Sequence, residues 1–207
     1  NLLMLQDNLP PVDFAEIRAS IEASFEQPIE ALWAEFDPVP IGAASIAQVH
    51  RAVTTEGRQV AVKVLRPGVR EQFARDISTY EWAAAHLESF GGEAARLRPR
   101  LIIANFKRWT NRELDLRREA ASASELAQHM VGTAGYEIPG IDWDRTNGRV
   151  MTVDWIDGIK ISNTEAIRAA GHDTAELASR LVLAFLKQAI AAGFFHADMH
   201  QGNLFVK

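Results

Sequence analysis

The densest chemistry in this chain lies near its C-terminal end, in His196-Ala197-Asp198-Met199-His200-Gln201-Gly202-Asn203. Asp198 and Asn203 stand five residues apart in a polar stretch between an apolar helical segment and the run Leu204-Phe205-Val206. A carboxylate and a carboxamide at that spacing fit a phosphoryl-transfer loop. There the Asp orients the accepting hydroxyl or water, and the Asn oxygen holds a Mg2+ that bridges the phosphates. Two other readings stay open. His196 and His200, four apart with Asp198 between them, could be ligands of a hydrolytic metal site. That arrangement wants a helix to bring both imidazoles to one side, and Gly193, Gly202 and Asn203 disfavour a helix here. The stretch could also be a plain solvated loop.

Lys63 is the second candidate. In Val60-Ala61-Val62-Lys63-Val64 the alternation puts Lys63 on the face opposite three valines. Lysine is depleted in strand interiors, so it is either a solvated lysine on a half-exposed strand or a cation placed to hold phosphates. The second role requires a carboxylate partner. One strand upstream, Pro40-Ile41-Gly42-Ala43-Ala44-Ser45 is a run of small residues. Such a run lets a backbone approach a phosphate and offer it amides, and it is equally an ordinary turn into a strand.

The carboxylate partner is sought in Arg112-Glu113-Leu114-Asp115-Leu116-Arg117-Arg118-Glu119-Ala120. On a continuous helix Asp115 and Glu119 share a face, whereas Glu113 points away from Glu119. The stretch reads either as a solvated helix with local Arg–Glu pairs or as the source of a partner for Lys63. Glu119 is the preferred partner. His50, His86, His129 and His172 have no matching ligand pattern and read as structural or surface residues.

These residues need elements to position them. Residues 12 to 36 read as two short helices, the second opened by Pro28. Residues 46 to 66 read as a β-hairpin turned at Thr55-Glu56-Gly57-Arg58. A helix over about 69 to 90 ends at Gly91-Gly92, and a second long helix is expected over about 99 to 130. Tyr136–Pro139 and Gly148–Asp154 read as extended segments with a turn between them. A helix over about 174 to 192 is expected to bury Leu177, Leu181, Phe185 and Ile190, and a last strand follows. The order is α+β and not the alternation of a parallel βαβ fold.

Composition narrows the function classes. A net charge of −5 with mixed signs argues against a nucleic-acid binder. With no cysteine among 207 residues, disulfides, zinc–thiolate sites and cysteine nucleophiles are excluded, and a reducing compartment fits. The longest apolar stretch, Leu181–Phe195, is interrupted by Lys187 and Gln188 and falls short of the roughly 20 residues a membrane span requires. No signal peptide is read. The chain opens on Asn1 and stops inside an apolar run, so it is expected to be a piece of a longer protein.

Taken together, these motifs resemble the UbiB/AarF/ADCK family of atypical kinases, over nearly the whole chain. Leu5-Gln6-Asp7-Asn8-Leu9-Pro10-Pro11 looks like the family's LQD…PP segment, and Pro40–His50 like its alanine-rich nucleotide loop. Val60–Pro67 resembles the strand-lysine motif, Glu113-Leu114-Asp115 the ExD motif, and Arg118-Glu119-Ala120 the αC glutamate. Val153–Gly158 resembles the hinge, and His196–Asn203 is close to the family's HADxHPGN.

The resemblance implies a protein-kinase-like two-lobed fold. Residues 1–37 would be an N-terminal helical extension, 38–158 the N-lobe with an inserted helix and the hinge, and 159–207 the start of a truncated C-lobe. It implies ATP or ADP with Mg2+. Lys63 would hold the α- and β-phosphates and pair with Glu119, and Gly42, Ala43, Ala44 and Ser45 would line the phosphate loop. Asp154 and Ile156 would offer hinge backbone groups to adenine. Asp198 would be catalytic, and Asn203 a metal ligand. Expected partners are the nucleotide and lipid or quinone-pathway proteins, with membrane association through regions outside this chain. The setting would be the bacterial cytoplasm or the cytoplasmic face of a membrane. The alternative is a pseudokinase-type scaffold that binds nucleotide without turnover.

Some positions depart from the family pattern. Gly42 replaces a third alanine, and Gln201 a proline. An upstream KxGQ motif, whose lysine would meet Glu113 and Asp115, and a downstream DFG-type Asp are expected outside this chain. Without that Asp the isolated piece is expected to be inactive.

Overall fold

The computed structural model describes residues 10–91, 96–192 and 204–207, which fall into two compact units. One runs to Glu119 and includes Trp143–Thr152; the other comprises Ala120–Asp142 and Val153–Lys207. The architecture is α+β, with a kinase-like sheet in the first unit and mostly helix in the second.

In the first unit, Asp13 caps α1 (Phe14–Phe25) by accepting from the Ala15 amide at 2.8 Å, a typical N-cap bond. A second helix through residue 36 does not form. Ile29–Leu32 makes a single turn, α2, and Trp33–Phe36 becomes strand β1. The reason is tertiary. The backbone of β1 finds partners on β3 (Ala47–Thr54), with Trp33 opposite Thr54 and Phe36 opposite Ala52, and the Trp33 indole is buried.

The hairpin forms as read. β3 and β4 (Gln59–Leu65) pair in register from Ala47–Leu65 to Val53–Gln59, and Gly57 takes the turn at a φ of 85°. The short strand β2 (Gly42–Ala43) lies along β3, and β5 (Val150–Asp154) lies along β4. Val60, Val62 and Val64 face a core built with Ile17 and Ile21 of α1, Ile29 and Leu32 of α2, Trp33, Ala52 and Val150. The N-terminal helices thus cover one face of the sheet and belong to its core, and Lys63 is left on the other face.

α3 (Val69–Ser89) ends where expected, with Gly91 at a φ of 68° beyond its C-terminus. The long helix expected over about 99 to 130 is two helices, α4 (Pro99–Glu113) and α5 (Leu116–Met130). Nothing in the local sequence marks the break, which long-range contacts produce. The Leu114 carbonyl is held by Arg70, and the Leu116 amide donates to the Gly148 carbonyl at 3.2 Å.

In the second unit, α7 (Thr174–Leu186) is capped by Asp173 and continues as a π-helical turn, Lys187–Ala192. Its buried face is not the expected one. Ala184 packs on Leu126 and Met130 of α5 and Gln188 is also buried, whereas Phe185 and Ile190 are 40% and 78% exposed. Leu177 and Leu181 are half-buried. A short helix, α6 (Thr164–Ala169), was not anticipated; Asn163 caps it through the Ala166 amide. Tyr136–Pro139 forms no regular strand, and the chain is bridged further on, at Ile141 opposite Val153. β6 (Ile159–Lys160) pairs with β7 (Phe205–Val206). Among the described residues, no helix is long and apolar enough to cross a membrane.

Candidate functional site

Lys63 is flanked along β4 by the buried Val62 and Val64, so the strand's two-residue period directs its side chain away from the core. Its Nζ donates to both carboxylate oxygens of Glu119, each at 2.7 Å. Glu119 sits in the first turn of α5. The lysine side chain is 29% exposed and the glutamate 48%. An ion pair this open contributes about 0–1 kcal/mol to stability. Its main effect is geometric: it fixes an ammonium that would otherwise sweep a wide arc on its flexible stem.

The break between α4 and α5 places Glu119. Arg70 of α3 donates through Nε and Nη2 to the Leu114 carbonyl, at 3.0 and 2.5 Å, and through Nη2 to the Gly148 carbonyl at 2.7 Å. The Gly148 carbonyl also receives the Leu116 amide, the first of α5. A side chain at Gly148 would crowd this junction. A Cβ there would stand 3.1 Å from Arg70 Nη2 and 3.3 Å from Asp115 Oδ1. Burial holds the Arg70 guanidinium below its ordinary pKa, and the neighbouring Arg149 adds to that effect.

The break separates the acidic residues that a continuous helix would have grouped. Glu113 ends α4 with an exposed side chain. Asp115 lies between the helices and so does not share a helical face with Glu119. Its carboxylate instead accepts from Arg117, at 2.9 Å from Nε and 2.8 Å from Nη2. Those bonds hold Asp115 below the usual carboxylate range.

The alanine-rich loop lies on the same sheet. Gly42, Val49 and Lys63 occupy one row across β2, β3 and β4. The loop folds back on β3, with the Ile41 amide donating to Val49 and the Ala44 amide to Ala47, both at 2.8 Å. The amides of Ile41 and Ala44 are therefore engaged within the chain. Ser45 is exposed, and a Cβ at Gly42 would meet nothing within 4 Å.

Asp154 and Ile156 lie in the second unit, Asp154 at the end of β5 and Ile156 half-buried beyond it. The Asp154 amide donates to the Gly140 carbonyl at 2.9 Å. His196, Asp198, His200 and Asn203 lie outside the described residues. So does most of the LQD…PP segment. Among the described residues, no group of three or more His, Asp or Glu side chains could hold a metal.

Three residues at the site were not singled out from sequence. Gly148 was visible only as the end of a turn. Arg66 and Arg70 carry no local signal, because their partners are up to 56 and 78 residues away.

Comparison with known proteins is consistent along the chain. The family described as ABC1 atypical kinase-like domain matches residues 4–207. A protein of Marinobacter nauticus described as probable protein kinase UbiB is 41% identical over 206 residues, covering 100% of this chain and 38% of that protein. A solved structure, the Rv3197–erythromycin complex from Mycobacterium tuberculosis, superimposes with a TM-score of 0.69 at 25% identity. It covers 95% of this chain and 49% of that one. The chain therefore spans less than half the length of either relative.

Proposed function

We propose, from the premise that this chain belongs to the ABC1 atypical kinase-like family, that it carries the phosphate-holding part of a UbiB-like atypical kinase or ATPase. The nucleotide is ATP or ADP with Mg2+, and the whole protein serves isoprenoid-quinone or lipid metabolism.

One observation carries the reading: the two-oxygen contact between Lys63 and Glu119. In kinases a strand lysine paired with a helix glutamate must be in place before the phosphates are held correctly. An ammonium has three donors. Glu119 occupies two, and the third is left for an α- or β-phosphate oxygen. The small-residue row at Gly42 and the exposed Ser45 suit the close approach of a phosphate chain. Asp198 is assigned to orient the accepting hydroxyl or water, and Asn203 to hold the Mg2+, which when bound neutralises charge on the phosphates.

Two measurements on the full-length protein test this. Nucleotide affinity should fall in Lys63→Ala and Asn203→Ala; tight binding that survives both substitutions would remove the site. ADP production that disappears in Asp198→Asn identifies an enzyme. Nucleotide binding with no ADP production identifies a pseudokinase-type scaffold instead.

A further inference from the structure

Arg66 follows β4, three residues after Lys63, and grips the alanine-rich loop at two carbonyls. Its Nε donates to the Ala44 carbonyl at 2.8 Å, and its own amide donates to the Ile46 carbonyl at 2.8 Å. Its Nη2 donates to the Pro10 carbonyl at 3.1 Å. The Ala44 amide is turned inward as well, onto Ala47. The turn from Ala44 to Ala47 is thus held from its inner side by one guanidinium and two backbone bonds.

The consequence follows from peptide geometry. In a trans peptide the N–H points opposite to the C=O of the same unit. With the Ala44 carbonyl facing Arg66, the Ser45 N–H faces the other way. Ser45 is exposed, and its amide has no hydrogen-bond partner among the described residues.

We propose that Arg66 is a positioning residue for phosphate recognition: it locks the Ala44–Ser45 peptide so that the Ser45 amide is directed at a nucleotide phosphate. This rests on the nucleotide reading above and assigns Arg66 a part in it. The same guanidinium extends the clamp to the segment before α1. Gln48 adds a second tie there, because its Oε1 accepts from the Val12 amide at 3.0 Å while its backbone pairs with Ala43 of the loop. The loop and the Pro10–Val12 segment therefore share their anchors.

Lysine at position 66 keeps the charge but cannot reach two carbonyls with a planar fork. The test compares wild type, Arg66→Lys, Arg66→Met and Ser45→Ala in the full-length protein. It reads the affinities for ATP, ADP and adenosine, together with hydrogen exchange of the 41–47 backbone. Arg66→Lys and Arg66→Met should bind ATP and ADP about tenfold more weakly, the scale of one lost hydrogen bond to a charged group. Adenosine affinity should stay unchanged. ATP should protect the 41–47 amides in wild type and not in either Arg66 variant. Ser45→Ala keeps the amide and should retain most of the affinity.

Wild-type ATP affinity in Arg66→Lys would overturn the positioning role while leaving the nucleotide reading intact. Equal losses for ATP and adenosine would reduce Arg66 to a general structural part and also overturn it. A loss in Ser45→Ala as large as in Arg66→Lys would move recognition to the hydroxyl. Failure of the wild-type protein to bind ATP would overturn the nucleotide reading and this proposal with it.

Discussion

Lys63 Nζ lies 2.7 Å from each carboxylate oxygen of Glu119, across 56 residues of sequence and between a strand and a helix. The pair is open to solvent on both sides, so its removal should barely move stability. Glu119→Gln and Lys63→Met are each expected to change unfolding free energy by less than about 1 kcal/mol. Each should weaken ATP binding by about tenfold or more, because the ammonium loses either its charge or its fixed position. Urea unfolding and calorimetric titration of the two single variants and the double variant form a cycle. Additive losses in affinity would show that the pair does not act as a unit.

Gly148 and Gly42 should respond in opposite ways to alanine. A Cβ at Gly148 meets Arg70 at 3.1 Å and Asp115 at 3.3 Å, so the clamp on the α4–α5 junction must shift. Gly148→Ala is expected to destabilise by about 1–3 kcal/mol, as for other crowded sites, and to weaken nucleotide binding through Glu119. Gly42 has open space around it and no positive φ, and it lies in a strand. Gly42→Ala is expected to be neutral or to stabilise by about 0.5–1 kcal/mol. Denaturant midpoints of the two variants provide the comparison.

Arg145 joins the hairpin turn to α2. Its Nε donates to the Leu32 carbonyl at 2.6 Å, and its Nη2 donates to Thr55 and to both Glu56 oxygens at 2.8–2.9 Å. The hydrogen bond from Arg145 is the largest of the effects that lower the Glu56 pKa to about 2. A folded pKa below the unfolded value adds stability that is complete above about 4.5 and is lost as pH falls toward 2. Glu56→Gln should therefore flatten the acid limb of a stability–pH curve between those values. An unchanged limb would remove Glu56 as its source.

His50 is fully buried, with Nδ1 2.8 Å from the Asp37 carbonyl and Nε2 2.8 Å from Gln48 Nε2. The carbonyl can only accept, so Nδ1 carries the proton, and Nε2 accepts from the Gln48 amide. Burial lowers the His50 pKa, with the Asp37 carbonyl opposing in part. The unfolded chain then binds this proton more readily than the folded one. Stability from His50 is present above the ordinary imidazole value near 6.5 and declines as pH falls below it. Chemical denaturation between pH 7.5 and 5 should show that decline in wild type and a weaker one in His50→Gln.

Much of the site could be read from local pattern. Alternating valines put Lys63 on its own face of β4 because side chains in a strand alternate strictly, and Gly57 marked the turn because its φ is positive. The small-residue loop, the strand lysine and the acidic stretch, which the fold brings onto one sheet and its neighbouring helix, were likewise legible. Other features were not. Trp33–Phe36 looks helical by spacing and becomes a strand because β3 supplies hydrogen-bond partners. The stripe read on the helix after Asp173 has the right period, but the partners available on α5 select the Ala184 face instead.

Sequence alone determined, through the strand period, which way Lys63 points, and it already favoured Glu119 as its partner. Tertiary structure decided how Glu119 is presented to it, from a helix that starts afresh at Leu116 while Asp115 turns to Arg117. Nothing between Glu113 and Leu116 marks a helix end. The break exists because Arg70 holds the Leu114 carbonyl and Gly148 holds the Leu116 amide, from 44 and 32 residues away. Local periodicity cannot express contacts over such distances, because hydrogen-bond partners that remote become neighbours only once the chain has folded.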